Sequence, residues 1–188
     1  MKTKFILHGG ASSRKTPDNE KFYSEIVNSA DKDTVNILCV YFARPEHRWD
    51  ESFYEDKYSF ENVDTNKTLK IQMAAYEDFR DQLTNYDVIF INGGFKGHLK
   101  ETIESVGNFR EFIKGKTVVG ISAGANILAT YYFSQAIDGI IEGTAILPIK
   151  VFCHFDENLS SELKKLETYK EHLPLYKIPE EKFITLEN

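Results

Sequence analysis

The stretch Thr117-Val-Val-Gly-Ile-Ser-Ala-Gly-Ala-Asn126 decides the fold, because it joins a buried strand to a helix through one serine, Ser122. Residues 117–121 are β-branched except for one glycine, which predicts a core strand. Residues 123–133 are small at the start and apolar along their length, which predicts a helix. A strand followed directly by a helix indicates a sheet with helices packed against it.

The centre of this stretch, Gly120-Ile-Ser-Ala-Gly124, fits the G-x-S-x-G pattern of a nucleophile elbow. Its two glycines would let strand and helix approach closely around a strained, exposed serine hydroxyl. The N–H of Ala123 would then lie at the helix N-terminus, where unpaired N–H groups favour a developing negative charge. Glycine-rich turns also bind phosphate or simply pack tightly, but the position between strand and helix favours Ser122 as a nucleophile.

The rest of the chain alternates between strand and helix patterns, with no repeat or linker, which predicts a single domain over residues 1–188. This alternation implies an α/β fold, a doubly wound, mostly parallel sheet with helices on both faces. Sites on such sheets lie beyond the carboxyl ends of the strands, where His8-Gly-Gly10, Asn92-Gly-Gly94 and Ser122 all fall. Strands are predicted at 3–8, 35–43, 86–91 and 183–186, helices at 18–30, 69–83 and 96–114 with a break near Gly107, and a loop entering a short helix at 44–56.

Composition restricts the partners. The 188 residues carry a formal net charge of -6 without a basic run, which argues against nucleic acid or an anionic membrane as a partner. No apolar stretch approaches the roughly 18 residues of a membrane helix, and the amino terminus runs into a strand instead of a signal peptide, so we expect a cytoplasmic protein. Cys39 and Cys153 lie in apolar runs and suit a reducing compartment.

A nucleophilic serine needs a base, and His154 and His172 are the two histidines after Ser122. His154 lies in the strand-like run 150–156, where the rigid scaffold could hold an imidazole at a strand end. His172 follows a polar helical stretch and suits a helix terminus better. Cys153 is no rival nucleophile, because adjacent strand residues point to opposite faces. We therefore predict His154 as the base.

The base in turn needs a carboxylate to orient it. Asp138, Glu142 and Asp156 are the candidates between the serine and the residues just past His154. A two-residue offset on a strand leaves the side chains of His154 and Asp156 parallel and unbonded. We predict Asp138 and leave Glu142 and Asp156 as alternatives.

Four segments together resemble a known family: the Gly-Gly turn after the first strand, Ile91-Asn-Gly-Gly94, Gly120-Ile-Ser-Ala-Gly-Ala-Asn126 and Val151-Phe-Cys-His-Phe155. The chain is similar over about 150 residues to the serine peptidases of the aspartyl dipeptidase (peptidase E) and cyanophycinase group, peptidase family S51, on the class I glutamine amidotransferase-like fold. The resemblance implies a nucleophilic Ser122, a base His154, and an acidic residue between them.

The same resemblance implies an oxyanion hole built from the backbone of Ala123 and of Gly94 or Gly93. We also expect Gly10, Phe95 and Asn126 to contact the substrate. Phe95 stands where the family usually has a polar residue, so specificity is left open. Arg44 and Arg48 are candidates for clamping an acidic substrate side chain, although solvated loop charges are the more common role.

The function expected from these residues is hydrolysis of a peptide or amide bond of a small peptide through an acyl-enzyme. No metal and no cofactor are expected, because the histidines are scattered and no zinc motif is present. A monomer and a homodimer are both compatible with the sequence. The alternatives are a small α/β-hydrolase esterase, a non-catalytic binding member suggested by Phe95 and the end of the chain at Asn188, and, less favoured, a phosphate-binding turn at residues 8–15.

Overall fold

A computed structural model describes residues 2–94 and 98–188. Its larger sheet has six strands in the order β10, β1, β5, β4, β2, β3. Every pairing in it is parallel except that of β10 with β1. This sheet confirms the predicted mostly parallel α/β class. Its strands are β1 Lys4–His8, β2 Thr34–Val40, β3 Thr68–Met73, β4 Val88–Ile91, β5 Thr117–Ile121 and β10 Phe183–Glu187.

The first helix has a capped N-terminus and one apolar face, which explains why its residues are helical. The Thr16 side chain accepts a hydrogen bond from the N–H of Asn19, and Pro17 occupies the first turn. Phe22 and Ile26, four residues apart, are both buried. None of the helices among the described residues is long and apolar enough to cross a membrane. The helices are α1 Pro17–Asn28, α2 Trp49–Glu61, α3 Phe79–Asn85, α4 Leu99–Ser105, α5 Phe109–Ile113, α6 Ala123–Leu128 and α7 Ser160–Thr168, with 3-10 helices at Glu46–Arg48 and Glu157–Leu159.

A second sheet of four strands, in the order β7, β6, β8, β9, was not predicted from the sequence. An aromatic cluster that includes Tyr131, Phe133 and Phe152 is buried beside it, together with Leu166 of α7. The strands are β6 Ala129–Ser134, β7 Gly139–Glu142, β8 Leu147–Cys153 and β9 Leu175–Ile178.

Two helix predictions were wrong in part. Residues 69–83 form the edge strand β3 followed by α3, and in β3 exposure alternates residue by residue, so Leu69 and Met73 lie on one face of a strand. The helix after the elbow ends at Leu128, and the next six residues form β6, again with alternating burial. Apolar residues four apart satisfy both periods in a short segment, and tertiary pairing decided between them.

Strand register brings the predicted turns to one edge of the larger sheet. His8 at the end of β1 pairs with Ile121, and Ile91 at the end of β4 pairs with Gly120. The end of β8 joins the same edge, since the N–H of His154 donates to the carbonyl of Gly9 at 2.9 Å. The expected convergence of the strand ends on Ser122 is therefore confirmed.

Candidate active site

Ser122 occupies a strained elbow. Its backbone has φ 51° and ψ −110°, a conformation that residues with a Cβ rarely adopt. A Cβ at Gly120 would lie 2.7 Å from backbone atoms of Gly124, and one at Gly124 would lie 2.2 Å from the carbonyl oxygen of Ile91. Both glycines are thus required by close backbone contact, as the G-x-S-x-G interpretation predicted.

The serine hydroxyl contacts the imidazole predicted for it. Ser122 Oγ and His154 Nε2 are 2.8 Å apart. His154 follows β8 with φ 52°, which turns its ring out of the strand direction toward the elbow. Gly10 makes room for that ring, since a Cβ at Gly10 would lie 2.1 Å from His154 Cε1. Gly10, expected to contact substrate, lies directly against the imidazole. His172, the less favoured base, is exposed before β9.

The carboxylate beside the imidazole is Glu180, so the choice of Asp138 was wrong. Glu180 Oε1 lies 3.0 Å from His154 Nδ1. Asp138 lies exposed in the turn between β6 and β7. Of the two alternatives, Glu142 pairs with Lys170, and Asp156 accepts a hydrogen bond from the N–H of Asn158. Glu180 follows the histidine in the chain, whereas Asp138 precedes it.

Glu180 is reached through the pairing of the last strand. The antiparallel register of β10 with β1 sets Phe183 opposite His8, which carries the preceding turn to the site. The hydrogen bond from His154 and the nearby Arg14 guanidinium hold the pKa of the Glu180 carboxyl below its usual value. Glu180 is thus ionised near neutral pH. The two adjacent acidic residues Glu180 and Glu181 before a final strand were the only sequence signal for it.

Arg14, which the sequence did not single out, contacts the far side of this carboxylate. Its Nη1 lies 2.6 Å from Glu180 Oε2 and 3.1 Å from Glu181 Oε1. The backbone around Arg14 is held by Asn19, whose Nδ2 donates to the carbonyls of Arg14 and Ala11. The loop after β1 therefore supplies both the glycine beneath the imidazole and the cation beside the carboxylate.

His8, the last residue of β1, holds the loop that follows this strand. It is fully buried, and burial lowers the pKa of its imidazole to about 4, so the ring is neutral at pH 7. Its Nδ1 accepts the N–H of Gly10 at 3.1 Å, which leaves the proton on Nε2, 2.9 Å from Asn19 Oδ1. His8-Gly-Gly10 therefore supports the loop that carries Gly10 and Arg14 to the site.

Three backbone groups were predicted to form an oxyanion hole. Ala123 begins α6 directly after Ser122. The backbone of Gly93 lies against the serine, since a Cβ added there would be 3.0 Å from Ser122 Cβ. Gly94 lies against Ala43, whose carbonyl oxygen would be 2.2 Å from an added Cβ. The structure thus brings Ala123 and Gly93 next to Ser122, with Gly94 adjacent in the chain.

The remaining predicted contacts are only partly described. Phe95 lies outside the described residues. Asn126 lies one helical turn after Ser122, and its N–H donates to the serine carbonyl at 2.9 Å. Its Oδ1 is buried and has no hydrogen-bond partner among residues 2–94 and 98–188. Arg44 Nη2 donates to Asn92 Oδ1 at 3.3 Å, which places the guanidinium beside the Asn92-Gly93-Gly94 turn, whereas Arg48 pairs with Glu51.

The structure defines the class of this protein. It is an α/β protein in which a serine, a histidine and a glutamate meet at one edge of the larger sheet. The fold is shared with two solved structures. A candidate peptidase E protein from Listeria monocytogenes EGD-e is 15% identical, with a TM-score of 0.66 and full coverage of both chains. A peptidase from an acI-B1 actinobacterium is 18% identical, with a TM-score of 0.68 over 98% of this chain and 83% of that one.

The family model of peptidase family S51 matches residues 5–188, and the chain belongs to that family. No curated protein matches the sequence significantly. The resemblance inferred from the four segments is confirmed, and family membership supports a peptidase function.

Proposed function

We propose that this protein is a serine peptidase that cleaves small peptides through an acyl-enzyme on Ser122. The observation that carries the proposal is the continuous contact from Ser122 Oγ to His154 Nε2, at 2.8 Å, and from His154 Nδ1 to Glu180 Oε1, at 3.0 Å. Nucleophile, base and orienting carboxylate in this order are the requirements for activating a serine.

The ionised carboxylate selects the imidazole tautomer. With Nδ1–H donating to Glu180, the lone pair of Nε2 faces the hydroxyl of Ser122 and accepts its proton as Oγ attacks the peptide carbonyl. His154 then returns the proton to the leaving amine, and the C–N bond breaks to leave an ester on Ser122. Water, deprotonated by the same imidazole, hydrolyses that ester and regenerates the serine.

The negative charge on the carbonyl oxygen needs donors on the other side of Ser122. The N–H of Ala123 at the start of α6 and one from Gly93 or Gly94 are the groups we assign to it. One such donor contributes on the order of 3 kcal/mol to transition-state stabilisation in comparable enzymes. A dipeptide-sized substrate agrees with the family resemblance, and the peptidase E description of the Listeria neighbour adds support.

The proposal is tested with a fluorophosphonate, whose phosphorus is attacked by an activated serine with loss of fluoride. Intact-mass and peptide mass spectrometry should find one adduct, on Ser122, in the wild-type protein and none in Ser122→Ala. Ser13→Ala, which removes an exposed serine from the loop after β1, is the matched control and should label like wild type. A panel of short peptides and simple esters then separates peptidase from esterase activity.

Cleavage by Ser122→Ala at the wild-type rate would exclude the proposed nucleophile. We expect a loss of about 10⁴-fold or more in kcat. An intact fold without labelling in the wild type would favour a non-catalytic binding protein.

A further inference from the structure

The mechanism above makes no use of Asp56, a carboxyl on α2 that is only 3% exposed. Three donors surround it. The hydroxyls of Tyr23 and Tyr41 each donate at 2.8 Å, and Asn92 Nδ2 donates to Oδ2. The donors come from α1, from the segment after β2 and from the segment after β4. A buried carboxylate is costly unless it is hydrogen-bonded, so this arrangement has a specific geometry to maintain.

Asn92 is held at both ends of its side-chain amide. A carboxylate only accepts and a guanidinium only donates, so the amide must direct Nδ2 to Asp56 and Oδ1 to Arg44. Its own N–H donates to the carbonyl of Val40 at 3.0 Å. The residue therefore has one orientation, fixed by its side chain and by its backbone.

The next residue in the chain touches the nucleophile. A Cβ at Gly93 would lie 2.9 Å from the carbonyl oxygen of Ile121 and 3.0 Å from Ser122 Cβ. Neither Gly93 nor Gly94 has a side chain to hold the turn in place. The side chain of Asn92 consequently holds the start of the turn. The N–H groups of this turn, from Gly93 or Gly94, are those we assigned as the second oxyanion donor.

We propose that Asp56 and Asn92 are positioning residues, which fix the Asn92-Gly93-Gly94 turn against Ser122 so that it can bind the oxyanion. This inference rests on the proposed serine mechanism. Asp56 acts only through Asn92, and neither residue contacts the reacting atoms. Both residues should therefore set the rate of attack by Ser122 without changing which group accepts the proton.

The test is a double-mutant cycle on the rate of fluorophosphonate labelling, with thermal unfolding measured in parallel. Asn92→Ala should slow labelling by about 10- to 100-fold, the scale of a displaced donor. Asp56→Asn should slow it at least about tenfold in the wild type and less than about twofold in Asn92→Ala. In both variants the plateau of the pH–rate profile should fall while its midpoint stays in place.

Tyr23→Phe is the matched control, since it removes one hydrogen bond from Asp56 and leaves Asn92 in place. It should lower the unfolding temperature with less than about threefold effect on the labelling rate. The inference is overturned if Asn92→Ala is labelled at the wild-type rate. It is also overturned if Asp56→Asn slows labelling equally in the wild type and in Asn92→Ala. If Asp56→Asn does not fold, the labelling rate of Asn92→Ala alone decides. If the wild type is labelled and the variants are labelled at the same rate, the proposed serine mechanism is retained and only this inference fails. If the wild type is not labelled, both proposals fail.

Discussion

Replacing Glu180 by glutamine isolates the charge of the orienting carboxylate. The amide keeps nearly the same shape, and its oxygen can still accept the proton on His154 Nδ1, so the imidazole tautomer is preserved. What disappears is the attraction between the carboxylate and the imidazolium that forms when His154 takes the serine proton. The loss should therefore appear in the chemical step.

The magnitude follows from the distance and the exposure of the two groups. Charges about 4 Å apart attract by about 4 kcal/mol in a protein-surface environment and by about 1 kcal/mol in water. The Glu180 side chain is 42% exposed, so its interaction falls between these limits. A value near 2 kcal/mol corresponds to a loss of about 30-fold in rate.

The assay is the second-order rate of fluorophosphonate labelling of Ser122, followed from pH 5 to pH 9. Glu180→Gln should lower the plateau by about 30-fold, because the imidazolium that forms when His154 accepts the serine proton is less stable without the carboxylate. Arg14→Ala should change the plateau by less than about threefold, since Arg14 is exposed and reaches His154 only through Glu180. Asp138→Asn is the negative control. A rate within twofold of wild type for Glu180→Gln, or a 30-fold loss in Asp138→Asn, would refute the assignment of the carboxylate.

Two further predictions concern stability. Gly124→Ala should lower the free energy of unfolding in urea by about 3 kcal/mol, because its Cβ would overlap the Ile91 carbonyl. The control is Gly139→Ala, whose Cβ meets nothing closer than 3.7 Å and which should change the free energy of unfolding by less than about 1 kcal/mol. Equal effects of the two substitutions would contradict the close-approach argument. Burial raises the pKa of Asp56 from 3.8 to about 6, so the folded state binds more protons than the unfolded state and gains stability as the pH falls through this window. The pKa of His8 is lowered from 6.5 to about 4, so its contribution to folding stability is lost as the pH falls. Asp56→Asn removes the first contribution, so from pH 6 to pH 4 it should lose about 2 kcal/mol more stability than wild type, and parallel curves would show that Asp56 does not titrate in this range.

The amino-acid sequence by itself determined the parts of the protein that depend on neighbouring residues. The β-branched run before Ser122 and the glycines around it predicted both the central strand and the strained elbow. His154 was predicted in the same way, as the candidate base at the end of an apolar run. These features are local, because close backbone approach requires glycine and strand burial requires apolar residues within a few positions of the chain.

Tertiary structure decided which distant groups meet at the site. Glu180 lies against His154 only because β10 pairs antiparallel with β1, and Arg14 meets Glu180 only because Asn19 and His8 hold the loop after β1. An exposed glutamate and an exposed arginine carry no periodicity and no special backbone requirement, so their role was absent from the local pattern. The edge strand β3 was missed for a related reason, and of the second sheet only the strand-like run 150–156 was predicted. Short apolar segments satisfy helix and strand periods alike until a partner strand selects one of them.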